Sequence, residues 1–379
     1  MKKSPRRSYR PDVLALEGRQ LMTFDSTLGA GIVTDRRVSP PVSYVLIDGS
    51  DYDDHVQISD YVPGRSIKVH LEKWSNGVQL STADVTLSLA GVHFSPYDLP
   101  APFQALGRGG NDQITNDSTA RFSIDGGAGN DSLKSGPGGG SLYGGQGADT
   151  LIGGSGNEYL DGGEGDDYIR GGAGDDVIVG GAGHNLLYGD GGNDQINPFN
   201  YFADGDPDGD RIWGGPGNDS IYGGAGRDAI FGEAGDDLIY GGGGADQLDG
   251  GDDKDVVYGD NGGLLHRGSD GADAITGGSG ADALHGDGGD DVISGGLGDD
   301  RLYGDGGQDY LYGNNGDDYL DGGFWAYGGV NVADILNGGA GADAYVRHKS
   351  IWLGSDLDVF VGYNSAEGDS TDTVYHWYT

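Results

Sequence analysis

The sequence contains no cysteine, which excludes disulfides and thiolate metal sites alike. If the chain works outside a cell, something else must staple it. Long apolar runs are also missing: no stretch approaches the roughly 18 residues of a membrane-spanning helix. Basic residues are scarce, 22 Lys and Arg against 61 Asp and Glu, for a formal net charge of −39. So acidic a chain lacks the basic patches that nucleic-acid phosphates require. Hydrophobic residues make up only 35%. Low hydrophobicity with high net charge ordinarily means disorder, and self-repulsion on this scale opposes a compact state unless something neutralises it. Catalytic signatures are absent too. None of the eight His residues lies in a His-Glu-x-x-His motif, and there is no Gly-x-Ser-x-Gly elbow. The chain therefore reads as a non-enzyme. Paired-carboxylate chemistry is the class that composition alone leaves open, although nearly all the central Asp residues fall at one place in a repeat.

What is abundant is glycine, 80 residues of 379, and it is periodic. Gly126-Gly127-Ala128-Gly129-Asn130-Asp131-Ser132-Leu133-Lys134 sets a nine-residue template, Gly-Gly-x-Gly-x-Asp-x-aliphatic-x. The register holds from Gly126 to Asn197, resumes from Gly205 to Asp321, and returns from Gly329 to Val346. An isolated copy begins at Gly107 and a degenerate one covers Asp117 to Asp125, giving 25 units. Seven-residue inserts at 198–204 and 322–328 carry the aromatics Phe199, Tyr201 and Phe202, then Phe324, Trp325 and Tyr327. They read as loops from the wall of a solenoid. Repeated glycine excludes an amphipathic helix. Glycine at the first, second and fourth places suits the positive φ angles of a tight turn. The sixth-place Asp supplies a hard oxygen ligand of the kind calcium prefers. The eighth place is apolar between variable neighbours, which is strand alternation with one side chain inward. In this column only His266 and Tyr345 are not aliphatic. One inward side chain in nine residues is a thin core, and stacked carboxylates would weaken it further unless a cation sits between them.

This nonapeptide resembles the RTX, or haemolysin-type, calcium-binding repeat, over about 60% of the chain counted from the units above. The resemblance implies an all-β fold, a right-handed parallel β-roll in which two nonapeptides make one 18-residue coil with a short strand in each of two sheets. It also implies calcium between glycine turns stacked on the same edge. The metal ligands to expect are the sixth-place residues Asp112, Asp131, Asp149, Asp167, Asp176, Asp194, Asp210, Asp219, Asp228, Asp237, Asp246, Asp255, Asp273, Asp282, Asp291, Asp300, Asp309, Asp318, Asp334 and Asp343. Residues 18 apart should share an ion with backbone carbonyls, for example Asp131 and Asp149, Asp176 and Asp194, or Asp219 and Asp237. Counting in steps of 18 past the two inserts leads to roughly ten to fifteen ions. Gly140 and Leu264 lack the carboxylate, Asn185 lacks the charge and Glu158 lengthens the arm. The unit from Gly259 to Arg267, with Leu264 and an inward His266, is expected to be a weak point or a bent turn. Asp204-x-Asp206-x-Asp208-Gly209 opens like an EF-hand loop, but Gly215 stands where such a loop needs its bidentate Glu.

The flanks differ. Residues 1–24 form a basic leader or tail, and Leu16-Glu17, Arg19 and Leu21-Met22 resemble the N-terminal leader of many planctomycete extracellular proteins. Residues 38–106 read as a β cap, with strands over 42–47, 66–74 and 78–92 and a divergent repeat that sets Asp54 and Val56 in the key places. The array occupies 107–346, and 347–379 reads as a second cap whose 358–369 stretch resembles the tail of type I secretion substrates. At the ninth place, Tyr222, Tyr240 and Tyr258 should form one outward ladder, with Trp213 and Phe231 on the other sheet. Cross-strand packing is the favoured reading of these rings; stacking on sugars is the alternative. The expectation is a secreted or cell-surface protein that folds on calcium, structural or adhesive. Its partners would be calcium and an extracellular polysaccharide or protein; the alternative is a carbohydrate-binding or carbohydrate-active solenoid.

Overall fold

A computed structural model describes residues 103–198, 208–260, 271–323 and 334–350, with segments at 20–25, 30–35, 42–50, 53–62, 66–75, 77–88, 359–361 and 370–376. Among the described residues every regular element is a β-strand, in two sheets of 17 and 16 strands. Successive strands of the array alternate between the sheets and run parallel within each. Leu133 pairs with Leu151 and Leu151 with Ile169 in one sheet. Leu142 pairs with Leu160 and Leu160 with Ile178 in the other. Partners stand 18 residues apart, so two nonapeptides make one coil of a parallel β-roll.

The short strands explain the core. Thr150–Ile152 sets one buried Leu between two partly exposed neighbours, because alternate side chains point to opposite faces of a strand. The eighth-place aliphatics from Ile114 to Leu336 are buried and form one continuous cluster between the sheets. Tyr345 fills the last such place and is buried as well.

The first step, from Ile114 to Leu133 and from Ala105 to Ile124, is 19 residues, and beyond it the step departs from 18 at three places. Leu187 pairs with Ile212 and Ile196 with Ile221; later, Leu311 pairs with Leu336 and Leu320 with Tyr345. Each of these steps is seven residues longer in both sheets, so the two inserts add no rung, as expected. Their aromatic residues lie outside the described residues. The third departure corrects the sequence reading. Leu248 pairs with Ile275 and Val257 with Leu284, a step of 27, so the Gly259–Arg267 unit contributes no rung at all. His266 itself lies outside the described residues. A rung here would bury an imidazole in the aliphatic stack and bring Leu264 instead of a carboxylate to the edge, and burying an unpaired polar ring is costly. One nonapeptide is half a coil. Omitting it moves every later unit to the sheet opposite the one an uninterrupted count assigns.

Both ends continue the sheets. Val56 stacks in parallel on Ile114 and Ile47 on Ala105, so the divergent repeat at 49–57 is part of the roll. Beyond it the chain turns antiparallel. Gln20–Asp25, Ala30–Asp35 and Val42–Ser50 extend one sheet, while Asp53–Val62, Ser66–Ser75 and Val78–Ser88 extend the other. At the far end Val359–Val361 and Ser370–His376 each add a parallel strand, one per sheet. Most of the leader and of the 358–369 stretch lies outside the described residues.

Candidate metal-binding edges

The glycine turns stack along the two edges where the chain crosses between sheets, and the sixth-place residues line up there in two columns. On the first edge the column runs Asp112, Asp131, Asp149, Asp167, Asn185, Asp210, Asp228, Asp246, Asp273, Asp291, Asp309 and Asp334. Each backbone N–H donates to Oδ1 of the next member, as from Asp131 to Asp149 at 2.7 Å and from Asp246 to Asp273 at 2.8 Å. The second column runs Glu158, Asp176, Asp194, Asp219, Asp237, Asp255, Asp282, Asp300, Asp318 and Asp343 in the same manner. All twenty sequence-predicted carboxylates are buried in these columns. The 27-residue step changes two pairings: Asp255 meets Asp282 and Asp246 meets Asp273, whereas counting by 18 would have joined Asp255 to Asp273 across opposite edges. Asp54, noted in the divergent repeat, stands at the foot of the first column, its N–H donating to Asp112 Oδ1 at 2.6 Å.

The second oxygen behaves differently: Asp210 Oδ2 accepts from Asn197 Nδ2 at 3.5 Å, but most of the others have no such bond. Oδ2 of Asp112, Asp131, Asp149, Asp167, Asp176, Asp194, Asp219, Asp237, Asp246, Asp255, Asp273, Asp282, Asp291, Asp300, Asp309 and Asp318 is buried without a hydrogen-bond partner. The first-place glycine shows where it points. A β-carbon built on Gly162 would lie 2.2 Å from Asp167 Oδ2 and 2.5 Å from the Gly180 carbonyl oxygen. The same cradle recurs at Gly144, Gly232 and Gly295. This corrects the expected role of that glycine. Positive φ occurs at the second and fourth places, as at Gly163 (106°) and Gly165 (128°), and not at the first. First-place glycine is needed because carboxylate and carbonyl oxygens occupy the space of a side chain.

Burial without a counter-charge raises the acid pKa. Desolvation, with smaller repulsion from neighbouring carboxylates and against the pull of the backbone N–H bonds, pushes Asp131, Asp167, Asp194 and Asp237 up to about 7. Asp246 and Asp255 rise to about 8 and Asp291 to about 9. Among the described residues no three His, Asp or Glu side chains converge as a metal-binding group. An ion here must therefore draw on backbone carbonyls beside the carboxylates, an all-oxygen set that suits a hard cation such as calcium. The orphaned Oδ2 atoms and the oxygen-lined cradles fit such an ion.

Two outer features accompany the columns. Fifth-place residues form a second ladder, which the sequence reading missed. Here the bond runs the other way, from Asn193 N–H to Asp175 Oδ1 (3.0 Å), from Asn218 to Asn193 (2.8 Å) and from Asp236 to Asn218 (3.2 Å). Opposed ladders at the fifth and sixth places stitch each turn to both neighbours. The detectable signal is the recurrence of Asn and Asp at the fifth place. Ninth-place rings stack as expected along Tyr188, Trp213 and Phe231 on one sheet and along Tyr222, Tyr240 and Tyr258 on the other. The second ladder continues through His285, 4.9 Å from Tyr258 and 4.4 Å from Tyr303 between ring centroids. His285 joins these tyrosines because of the 27-residue step. Tyr222 and Tyr240 are tilted by 40°, while the other pairs lie within 17° of parallel and turn their faces to one another.

A family profile described as the RTX calcium-binding nonapeptide repeat matches residues 123–142, 135–169, 161–196, 204–239, 231–263, 267–302, 294–324 and 329–345. No curated protein matches the chain.

Proposed function

The chain belongs to the RTX calcium-binding nonapeptide repeat family, and from that premise we propose that it is an extracellular structural or adhesive protein whose roll folds on calcium. The two columns of buried carboxylates, sixteen of which keep an Oδ2 without a hydrogen-bond partner in a glycine-lined turn, carry the reading. Such oxygens oppose folding when ionised and favour it when a cation joins them, so binding energy becomes folding energy. The twenty sixth-place Asp residues are the proposed ligands. Extracellular millimolar calcium is the setting in which weak, numerous sites of this kind fill.

A structural role is supported by how the surface aromatics are used. Sugar stacking needs an open ring face, and the ninth-place rings spend theirs on each other. Among the described residues no helix is long and apolar enough to cross a membrane. Fractionating the source cells tests the placement. The protein is expected in the medium or on the cell surface, released from the latter by a calcium chelator; a purely cytoplasmic pool would overturn it. A glycan array at millimolar calcium separates the carbohydrate reading, which requires binding that Trp213→Ala and Tyr240→Ala abolish.

A further inference from the structure

Asn185 interrupts the first column, and its amide is oriented by its neighbours. Oδ1 accepts the N–H of Asp167 at 3.0 Å, the role that Oδ1 plays in every Asp of the column. Nδ2 is left facing the glycine turn, where it donates to the carbonyls of Gly183 at 3.2 Å and Gly181 at 3.5 Å. Turning the amide over would set its oxygen against two carbonyls and its NH2 against an N–H, so the network settles the orientation. A carboxylate in this place has nothing to donate. In the adjoining turn Oδ2 of Asp167 is buried without a partner beside its own first-place glycine, and once ionised that oxygen can be joined to carbonyl oxygens only by a cation.

We infer that the amide hydrogens of Asn185 do at this turn what calcium does at the others, so that the Gly180–Asn185 turn closes without an ion. The first edge then carries two separate runs of calcium sites, one from Asp112 to Asp167 and one from Asp210 to Asp334. This rests on the sixth-place Asp residues holding calcium. A second turn shows the same device with different side chains. At 116–120, Asn116 Nδ2 donates to the Ala120 carbonyl (2.9 Å), while its Oδ1 accepts from Ser118 N–H (3.0 Å) and Ser118 Oγ (2.6 Å). Asn116, Ser118 and Ala120 are all buried, so that turn is also closed by side chains. The roll thus mixes turns that need an ion with turns that do not.

Native mass spectrometry of the calcium-saturated chain counts bound ions and tests this directly. Asn185→Asp is expected to hold at least one ion more than the parent, and Asp237→Asn at least one fewer, with both keeping the β-rich circular dichroism of the parent. An Asn185→Asp chain with the parental ion count would overturn the inference. A parent that binds no calcium would instead remove the reading beneath it. Hydrogen exchange gives a second measurement that needs no variant. As calcium is lowered, amides at 181–185 should stay protected longer than those at 163–167; equal acceleration of the two turns would contradict the inference.

Discussion

A sixth-place carboxylate has two oxygens with different fates. Oδ1 is fixed by the backbone of the preceding coil, while Oδ2 is aimed at a space that a glycine keeps open. That makes the first-place glycine as much a part of the site as the acid. Gly162→Ala would put a methyl group into the oxygen cradle of Asp167, and overpacking of this kind typically costs about 1–3 kcal/mol. The calcium-loaded variant is expected to unfold earlier in denaturant by that amount and to bind fewer ions. Wild-type stability and ion count would show that the space is spare. The acids were legible in the sequence because their side chains carry chemistry and their spacing is regular. The reason for the glycine beside them was not, because glycine's tolerance of positive φ offered an explanation that suffices at Gly163 and Gly165 but not at Gly162.

At the scale of the strand, the roll depends on register. The seven-residue inserts were readable as additions outside the ladder because the nonapeptide pattern stops and resumes on either side. The Gly259–Arg267 unit kept its length of nine and so looked like a rung. The pairings of Leu248 with Ile275 and of Val257 with Leu284 show that it is not one. The turn is instead completed by distant residues: a β-carbon on Gly259 would lie 2.4 Å from Asp273 Oδ2. Deleting residues 261–269 would leave Gly259-Asp260-Asp270-Gly271-Ala272-Asp273, a complete turn at normal spacing. The deletion is expected to leave the thermal midpoint in saturating calcium unchanged or raised, since shorter loops cost slightly less entropy to close. Deleting Gly286–Ser294, also nine residues, removes the core residue Ile293 and the carboxylate of Asp291, and should lower it. Similar losses for both deletions would mean that the degenerate unit supports the roll.

At the scale of the whole molecule, the net charge of −39 and the thin aliphatic core were both plain in the sequence; the structure shows where the repulsion is concentrated. The column carboxyls have folded pKa values raised from 3.8 to about 6 at Asp149, about 7 at Asp237 and about 9 at Asp291, first by desolvation. For an acid whose folded pKa lies above its unfolded one, the folded state binds more protons, so stability falls as pH rises between the two values. Without calcium the roll is therefore expected to be most ordered near pH 4 and to lose structure progressively as the pH rises through about 6 to 9. Calcium competes for the same oxygens, so its apparent affinity should rise with pH across that range. Metal-free structure that strengthens toward neutral pH would contradict the assignment of the raised acids.

The most direct measurement is far-ultraviolet circular dichroism of the chelator-treated chain at neutral pH, followed through a calcium titration into the millimolar range. A largely unfolded spectrum is expected to convert cooperatively to β-structure as calcium is added and to revert on chelation. A β-rich spectrum that chelation leaves unchanged would contradict it.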